Sequence, residues 1–339
     1  VGCVVVRGGR AVGEGWHRAW GGPHAEVGAL AQAGSRARGA TAYVNLEPCS
    51  HWGKTGPCAE ALLKAGVRRV VAAHADPNPQ VSGRGFRRLR RAGLRVEVGP
   101  LAAEAAHLNR AFLKVHRQGL PYVVWKTAQT LDGKIASRTG ASRWITGPDA
   151  RRFGHSLRAA ADAVLVGGNT LRRDDPTLSS HGQGRDPLRL VVSRSLRLPL
   201  NAKAFRGDTP AWVLTGPTPS PAAAKRLEKR GVTILKCLMK DGIIDLRDAF
   251  NKIMKFGVNH ILIEGGGETS FAAMAAGLVD EAYTFLAPSL LGGRTAPTSL
   301  EGSGWPTPAR GPVLRGTKVT PVGRDWLVHG YLGRIPRAA

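Results

Sequence analysis

Short apolar runs alternate with amphipathic segments that stop at glycine along most of this chain, and that alternation leaves few folds open. "VGCVVV" and the segment before "GEGWH" read as a hairpin, "AEVGALAQAG" as a helix stopped by Gly34, and "TAYVNL" as a strand. "PCAEALLKAG" reads as a helix ended by Gly66, "VRRVVAAH" as a strand, "GFRRLRRAG" as a basic amphipathic helix and "LRVEVG" as a strand. "LAAEAAHLNRAFLKVHRQG" reads as one long closing helix. Helices of this length between strands imply a mixed or parallel sheet covered on both faces. A second series opens at "GLPYVVWKTAQTLDGKIAS", with strands in "DAVLVGG", "LRLVVS", "AWVLTG", "HILIEGGG" and "EAYTFLAP". Gly and Pro punctuate the chain near Gly119, so two α/β domains are expected, residues 1–118 and 119–339. No repeat of about 20–50 residues is visible, which excludes solenoids and propellers. Between Lys236 and Asn259, lysine, isoleucine and methionine replace the arginine and alanine used elsewhere.

At 339 residues, 42% of them hydrophobic, the chain is long enough for two cores of ordinary composition. No apolar run approaches the ~20 residues that span a bilayer, so no membrane partner is expected. The formal charge of +25 invites a nucleic-acid reading. The basic residues are mostly arginine scattered over the whole length, with no lysine-rich tail and no interleaved aromatics. No nucleic-acid partner is expected from that pattern, and phosphorylated substrates suit it. Four cysteines make no disulfide framework. Cys3 and Cys237 follow apolar patterns and read as inert buried thiols, which suits a reducing, cytoplasmic setting. The sequence begins at Val1 inside a strand pattern, so a preceding segment is expected.

Cys49 and Cys58 need another explanation. Each follows a proline, and both lie downstream of His24-Ala25-Glu26. Hydrolytic deamination of an aminopyrimidine needs a water made nucleophilic near neutral pH, and zinc lowers its pKa to about 7. The fourth coordination position must stay open, so the protein supplies three ligands. A carboxylate must move protons between that water, the ring nitrogen and the leaving amine. One His, two Cys and a non-ligating Glu is the set used by zinc nucleobase deaminases. His24, Cys49 and Cys58 are the candidate ligands of one zinc per chain, and Glu26 is the candidate proton carrier. The bland alternative is a capping His24, a surface Glu26 and two core cysteines. A structural zinc site would close with four protein ligands, and only three are found.

The eight residues between the cysteines, in "EPCSHWGKTGPC", narrow the family. With "HAE" and "DPNPQVSGRG", they resemble the deaminase half of the bifunctional riboflavin-biosynthesis deaminase/reductase. Nucleoside and nucleic-acid deaminases usually carry two residues there, which speaks against a tRNA deaminase. The resemblance implies a cytidine-deaminase-like three-layer α/β/α domain. A ribose-phosphate substrate needs donors beside the zinc, and His51, Lys54 and Thr55 are placed to supply them, with His17 and Asn78 as candidate contacts to base or sugar.

"KTAQTLDGKIA", "SRWIT", "GGNTLRRDDPTL" and "IEGGGE" resemble the reductase half of the same family, which implies a dihydrofolate-reductase-like α/β domain using NADPH. The strand, glycine turn and helix in "HILIEGGGETSFAAM" suit a phosphate cradle, and "ADAVLVGGNTLRRDDPTL" offers a second such turn. By the resemblance, Ala128, Trp144, Thr170, Asp174, Gly266, Gly267, Glu268, Thr269, Ser270, Phe271 and Ala272 would contact NADPH. Ser142, Arg158, Leu178 and Glu264 would contact the substrate, and Lys126 and Asp174 are the candidates for proton management. The sequence departs from the family pattern in three places. The Pro-Asn-Pro turn before "VGC" is absent, Ser193 replaces an aspartate, and His181 replaces an arginine for the substrate phosphate. The expected enzyme deaminates a phosphorylated diaminopyrimidine and then reduces its ribosyl group to ribityl. It is expected to act as a homo-oligomer.

Overall fold

The structure, a computed structural model, describes residues 1–18, 21–52, 56–78 and 81–332. The chain divides into two compact units, residues 1–118 and 119–335.

In the first unit, β1 (Gly2–Arg7) and β2 (Arg10–Trp16) form the hairpin, followed by α1 (Ala25–Ala33), β3 (Thr41–Val44), α2 (Cys58–Lys64) and β4 (Arg69–Ala72). Then come α3 (Arg84–Arg91), β5 (Arg95–Val98), α4 (Ala102–Leu108) and α5 (Arg110–Gln118). The sheet order is β2-β1-β3-β4-β5, with β1 antiparallel to both neighbours and the last three strands parallel. Cys3 and Val5 alternate onto the face that meets Ala25, Ala29, Leu62 and Phe86, so α1, α2 and α3 share one core with the sheet. Val70, Val71 and Ala72 of β4 are all buried, as a strand covered on both faces must be.

The expected long closing helix is two helices. Asn109 ends α4 with φ −93° and ψ 12°, and its buried side chain donates from Nδ2 to the Asn45 carbonyl at 3.2 Å. An asparagine committed to another segment's backbone is a poor helix interior residue, so the tertiary bond wins over the continuous pattern.

The second unit runs β6 (Tyr122–Thr130), α6 (Pro148–Ala160), β7 (Ala163–Gly167), α7 (Gly168–Asp174), β8 (Leu188–Val192) and β9 (Ala211–Thr215). It continues through α8 (Pro221–Glu228), β10 (Val232–Lys236), a small hairpin of β11 (Met239–Lys240) and β12 (Ile243–Ile244), and α9 (Leu246–Met254). It ends with β13 (His260–Ile263), α10 (Gly267–Ala275), β14 (Glu281–Ala287), β15 (Arg315–Val322) and β16 (Asp325–Tyr331). The sheet order is β10-β9-β8-β7-β13-β6-β14-β16-β15, parallel through β14 and antiparallel across the last two pairs. The compositionally distinct stretch from Lys236 is fully integrated: Leu246, Ala249, Phe250 and Ile253 of α9 sit in the main core with Leu165, Leu190 and Leu214.

The placement of α1 depends on small residues. A Cβ at Gly13 would lie 2.1 Å from the Ala29 carbonyl oxygen, and one at Gly15 would lie 2.3 Å from that of Ala25. No real side chain tolerates such contacts, so the helix rests on β2 only because glycine is there. Gly15→Ala should therefore destabilise the first unit by about 1–3 kcal/mol through overpacking, read as a lower urea midpoint.

Candidate active sites

In the first unit, α1 starts just after His24 and α2 starts at Cys58, while Cys49 lies in the loop after β3 rather than at the strand's end. His24 occupies the N-cap position of α1 with no side-chain capping bond. Its Nδ1 is 3.2 Å from Cys58 Sγ and 3.5 Å from Cys49 Sγ. The Cys58 backbone N–H donates to Cys49 Sγ at 3.3 Å. The three ligand atoms all fall within 4.8 Å of one another, the convergence a single metal ion requires. Glu26 is 3% exposed, so it is not a surface residue, and it is not among the ligand atoms that converge in this cluster. The bland alternative fails on both its histidine and its glutamate.

The electrostatics suit that arrangement. A hydrogen bond from Cys58, reinforced by His24, brings the Cys49 thiol down to about 4, while the same bond and burial push the Cys58 thiol up. Burial pushes Glu26 up from the usual carboxylate range. Cys3 is pushed up by burial and Cys237 is pushed up to about 11, the behaviour of inert core thiols.

His17 packs edge-on to His24 with ring centroids 5.4 Å apart and its Nδ1 3.1 Å from the Pro23 carbonyl, so it borders the cluster. His51 Nδ1 is buried with no protein partner, which leaves a polar atom for a ligand to satisfy. The Asn78 backbone N–H donates to Asp76 Oδ1 at 2.8 Å, holding the turn that carries it. Lys54 and Thr55 lie outside the described residues.

In the second unit, Lys126 on β6 and Glu264, one residue beyond β13, lie with Arg158 of α6. Arg158 meets the Glu264 carboxylate through two parallel bonds, Nε–Oε1 at 2.9 Å and Nη2–Oε2 at 2.6 Å, and donates from Nη1 to the Ser179 carbonyl at 3.0 Å. Burial pushes Glu264 up, but Arg158 and Lys126 outweigh it and the net shift is down. Burial lowers Lys126, against the pull of Glu264. Lys126 Nζ packs against α6 at Gly154, where a Cβ would stand 3.5 Å from it, an ordinary contact. Asp174 closes α7, accepts from Ser142 Oγ at 2.9 Å on Oδ1, and accepts from Arg143 on its carbonyl. Trp144 is 65% exposed with the Arg151 guanidinium 4.4 Å from its ring centroid. Leu178 is fully buried at φ +59°, so it presents no open surface to a ligand in this structure.

Two strand-end turns meet as expected. A Cβ at Gly265 or Gly266 would come within 3.3 Å of Thr170 Oγ1, and one at Gly167 within 2.8 Å of Thr269 Oγ1. The glycine run divides its duties. Gly266 adopts φ +76°, whereas Gly267 is packed under another segment, with a Cβ there 2.5 Å from Glu301 Cγ and 2.7 Å from the Thr298 carbonyl oxygen. Ser270 is buried, Ala272 packs on the core, and Phe271 stacks edge-on against Trp305 at 4.9 Å. Glu268 falls in the first turn of α10. Ala128 lies on β6 opposite Phe285.

Residues 1–74 match the family model of the cytidine and deoxycytidylate deaminase zinc-binding region, and residues 121–328 match that of the RibD C-terminal domain. The riboflavin biosynthesis protein RibD of Synechocystis sp. is 41% identical, over 98% of this chain and 90% of that protein. The chain belongs to the RibD family. Acinetobacter baumannii RibD, form 1, superposes with TM-score 0.87 at 37% identity, covering 98% of this chain and 92% of that one. A Thermotoga maritima diaminohydroxyphosphoribosylaminopyrimidine deaminase/5-amino-6-(5-phosphoribosylamino)uracil reductase superposes with TM-score 0.82 at 30% identity, covering 98% and 91%. The chain thus combines a zinc-binding deaminase region and a reductase domain in one bifunctional enzyme of riboflavin biosynthesis.

Sequence reasoning missed two features of the RibD sites. Glu47, in "EPC", is 3% exposed and gathers four backbone N–H groups: Oε2 accepts from Asp76 and Gly83, at 3.1 and 2.8 Å, and Oε1 from Gly85 and Phe86, at 2.8 and 3.3 Å. It ties the "DPNPQVSGRG" loop to the segment bearing Cys49, and Gly85 permits the contact, since a Cβ there would lie 1.9 Å from the Pro48 carbonyl oxygen. His155 stacks on His181 at 4.0 Å and is held down to about 4 by burial, then by His181 and Arg158. The spacing of His155 and Arg158, one helical turn apart, was the available signal. Glu47→Ala should destabilise the first unit by about 3 kcal/mol or more, because several N–H groups lose their acceptor together. Urea denaturation, with Glu47→Gln intermediate, checks this.

Proposed function

We propose that residues 1–118 form the deaminase domain and convert 2,5-diamino-6-(5-phosphoribosylamino)pyrimidin-4-one to the corresponding aminouracil with release of ammonia. Residues 119–339 then reduce the ribosyl group of 5-amino-6-(5-phosphoribosylamino)uracil to ribityl with NADPH. The observation that carries the first step is the convergence of His24, Cys49 and Cys58 within 4.8 Å beside a buried carboxylate.

In this reading His24, Cys49 and Cys58 hold one zinc per chain. Bound there, zinc supplies a water acidified to about pKa 7. Glu26 would take one proton from the attacking water and pass it to the ring nitrogen, then carry the second proton, from the hydroxyl added to the ring carbon, to the departing amine, which leaves as ammonia. Its burial, which favours the protonated form, suits the delivery half of the task. His51 Nδ1 and His17 supply polar atoms at the edge, and Lys54, Thr55 and Asn78 complete the set for the sugar and phosphate.

In the reductase domain the fit to a dinucleotide rests on the paired glycine turns, with the Thr170 and Thr269 hydroxyls between them. Gln129 Oε1, one residue beyond Ala128, is buried without a protein partner and suits a carboxamide N–H. NADPH supplies the hydride. Lys126 provides the proton to the sugar oxygen, the Arg158–Glu264 pair fixes the substrate's side of the groove, and Asp174 with Ser142 borders the cofactor's side. The cofactor contacts from α10 come from its first turn, since Phe271 and Ala272 are occupied by packing. Four buried free cysteines fit a cytoplasmic enzyme, and no helix among the described residues is long and apolar enough to cross a membrane. The open edge at β15, where Val319 is 58% exposed, suits a homo-oligomer.

Glu26→Gln should keep its zinc by elemental analysis while ammonia release falls about 10²–10⁴-fold and reduction of supplied aminouracil substrate is untouched. A variant with near-normal ammonia release rules out the proton carrier. The pH profile tests the second domain. Burial lowers Lys126, and a lysine acting as an acid works below its pKa, so reduction should be lost as pH rises through that lowered value. Single-turnover NADPH oxidation should show this limb below the ordinary lysine value of about 10.4, and Lys126→Arg should abolish it.

A further inference from the structure

Trp144 stands in a stretch that forms no helix or strand, residues 141–147, so its indole must be held in place from outside that stretch. The ring is flanked by cations: the Arg151 guanidinium lies 4.4 Å and that of Arg143 5.8 Å from its centroid. Arg151 also donates from Nη1 to the Thr146 carbonyl at 2.9 Å, and Arg143 donates to the Asp174 carbonyl. Those bonds tie the stretch to α6 and α7. A third anchor comes from much further along the sequence.

That anchor is the tip of the β15–β16 hairpin. Asp325, the first residue of β16, accepts from the Gly147 N–H on Oδ2 at 2.7 Å. Arg324 donates from Nη2 to the Ile145 carbonyl at 3.4 Å. Gly323 turns at φ +61°, and a Cβ there would collide with the Asp149 carboxyl in the first turn of α6. A Cβ at Gly147 would stand 3.3 Å from both Arg324 Cγ and Asp325 Oδ2. The two glycines therefore let the hairpin tip sit directly on the backbone that leads from Trp144 into α6.

Stability alone does not account for Asp325. Its side chain is 0% exposed, its Oδ1 has no protein hydrogen-bond partner, and Arg324 Nε stands 3.8 Å from that oxygen. A buried carboxyl with one oxygen unfilled costs stability. What the residue provides is placement, through a single short bond to a backbone N–H three residues beyond the indole.

We propose that Asp325, supported by Arg324, is a positioning residue of the reductase, and that the hairpin tip sets where Trp144 presents its exposed ring to the dinucleotide. The inference rests on the reductase reading above and adds residues remote from the cofactor that govern its binding. The test is titration of the full chain with NADPH, followed by NADPH emission, for Asp325→Ala, Asp325→Asn and Arg324→Ala, each with Trp144 present and in a Trp144→Ala background. Asp325→Ala should raise the Kd about tenfold, the size of one lost hydrogen bond. Asp325→Asn should restore most of the affinity, because its side-chain oxygen still accepts from the Gly147 N–H. In the Trp144→Ala background Asp325→Ala should change the Kd little further, the non-additivity of two residues that act through one contact. Zinc content and ammonia release should stay at the starting level throughout. Circular dichroism melting shows which variants fold, and Arg324→Ala, whose side chain is 62% exposed, carries the same test if Asp325→Ala does not fold. An unchanged Kd in the folded variants, an Asp325→Asn as weak as Asp325→Ala, or a fully additive loss in the Trp144→Ala background overturns the positioning role and leaves the reductase reading standing. A starting chain that binds no NADPH overturns the reading and the proposal together.

Discussion

The height at which α1 rides over β1 and β2 fixes where His24 and Glu26 stand, and that height exists only because Gly13 and Gly15 present no side chain to the helix backbone. Everything else in the first site is referred to that distance. The helix brings its own small residues, Ala25, Ala29 and Ala33, all essentially buried, so backbone meets backbone with few side chains between. A glutamate in the first turn of such a helix has no route to solvent. Its burial, and the upward pull on its proton affinity, follow from the packing rather than from any separate device. The Cys49 loop is held to α3 by a second close approach, Gly85 against the Pro48 carbonyl, and locked there by Glu47.

Charge is handled differently in the two units. In the first, the hydrogen bond between the two thiols pulls their proton affinities apart, Cys49 down and Cys58 up. In the second, Arg158 and Glu264 cancel each other almost out of contact with water, and Lys126 remains as the buried cation whose proton is loosely held. The overall charge of +25 has little to do with either site. Arg36, Arg189, Arg206, Arg230 and Arg247 all donate to backbone carbonyls, sealing loops and helix ends that would otherwise rely on water. An arginine used this way adds to the net charge without building a surface for nucleic acid.

Much of the fold was legible because glycine stops and apolar runs coincide with real element ends, as at Gly34 and Gly66, both in positive-φ turns. The metal ligands were legible because zinc chemistry restricts residue type as well as spacing. The failures have physical causes. The β15–β16 hairpin escaped notice because β15, "RGTKVTPV", is exposed along nearly its whole length and carries no alternation to read. Asn109 broke a helix through a bond to Asn45, a partner 64 residues away that no local pattern reveals. Glu47 was hidden for the opposite reason: it stands inside a motif whose cysteine drew all the chemical interest, and its own work is on backbone N–H groups that carry no sequence signature.

The run Gly265-Gly266-Gly267 shows how one motif can be correct in place and misleading in detail. Each glycine answers to a different neighbour: Gly265 to Thr170, Gly266 to its own positive φ, and Gly267 to Glu301 and the Thr298 carbonyl. A side chain at Gly267 would therefore displace the 298–301 segment before it could obstruct a phosphate. The glycines bring β13, α7 and α10 close enough for the Thr170 side chain to meet Gly265 and Gly266 and for the Thr269 side chain to meet Gly167, so the run's first task is packing three elements at one end of the sheet.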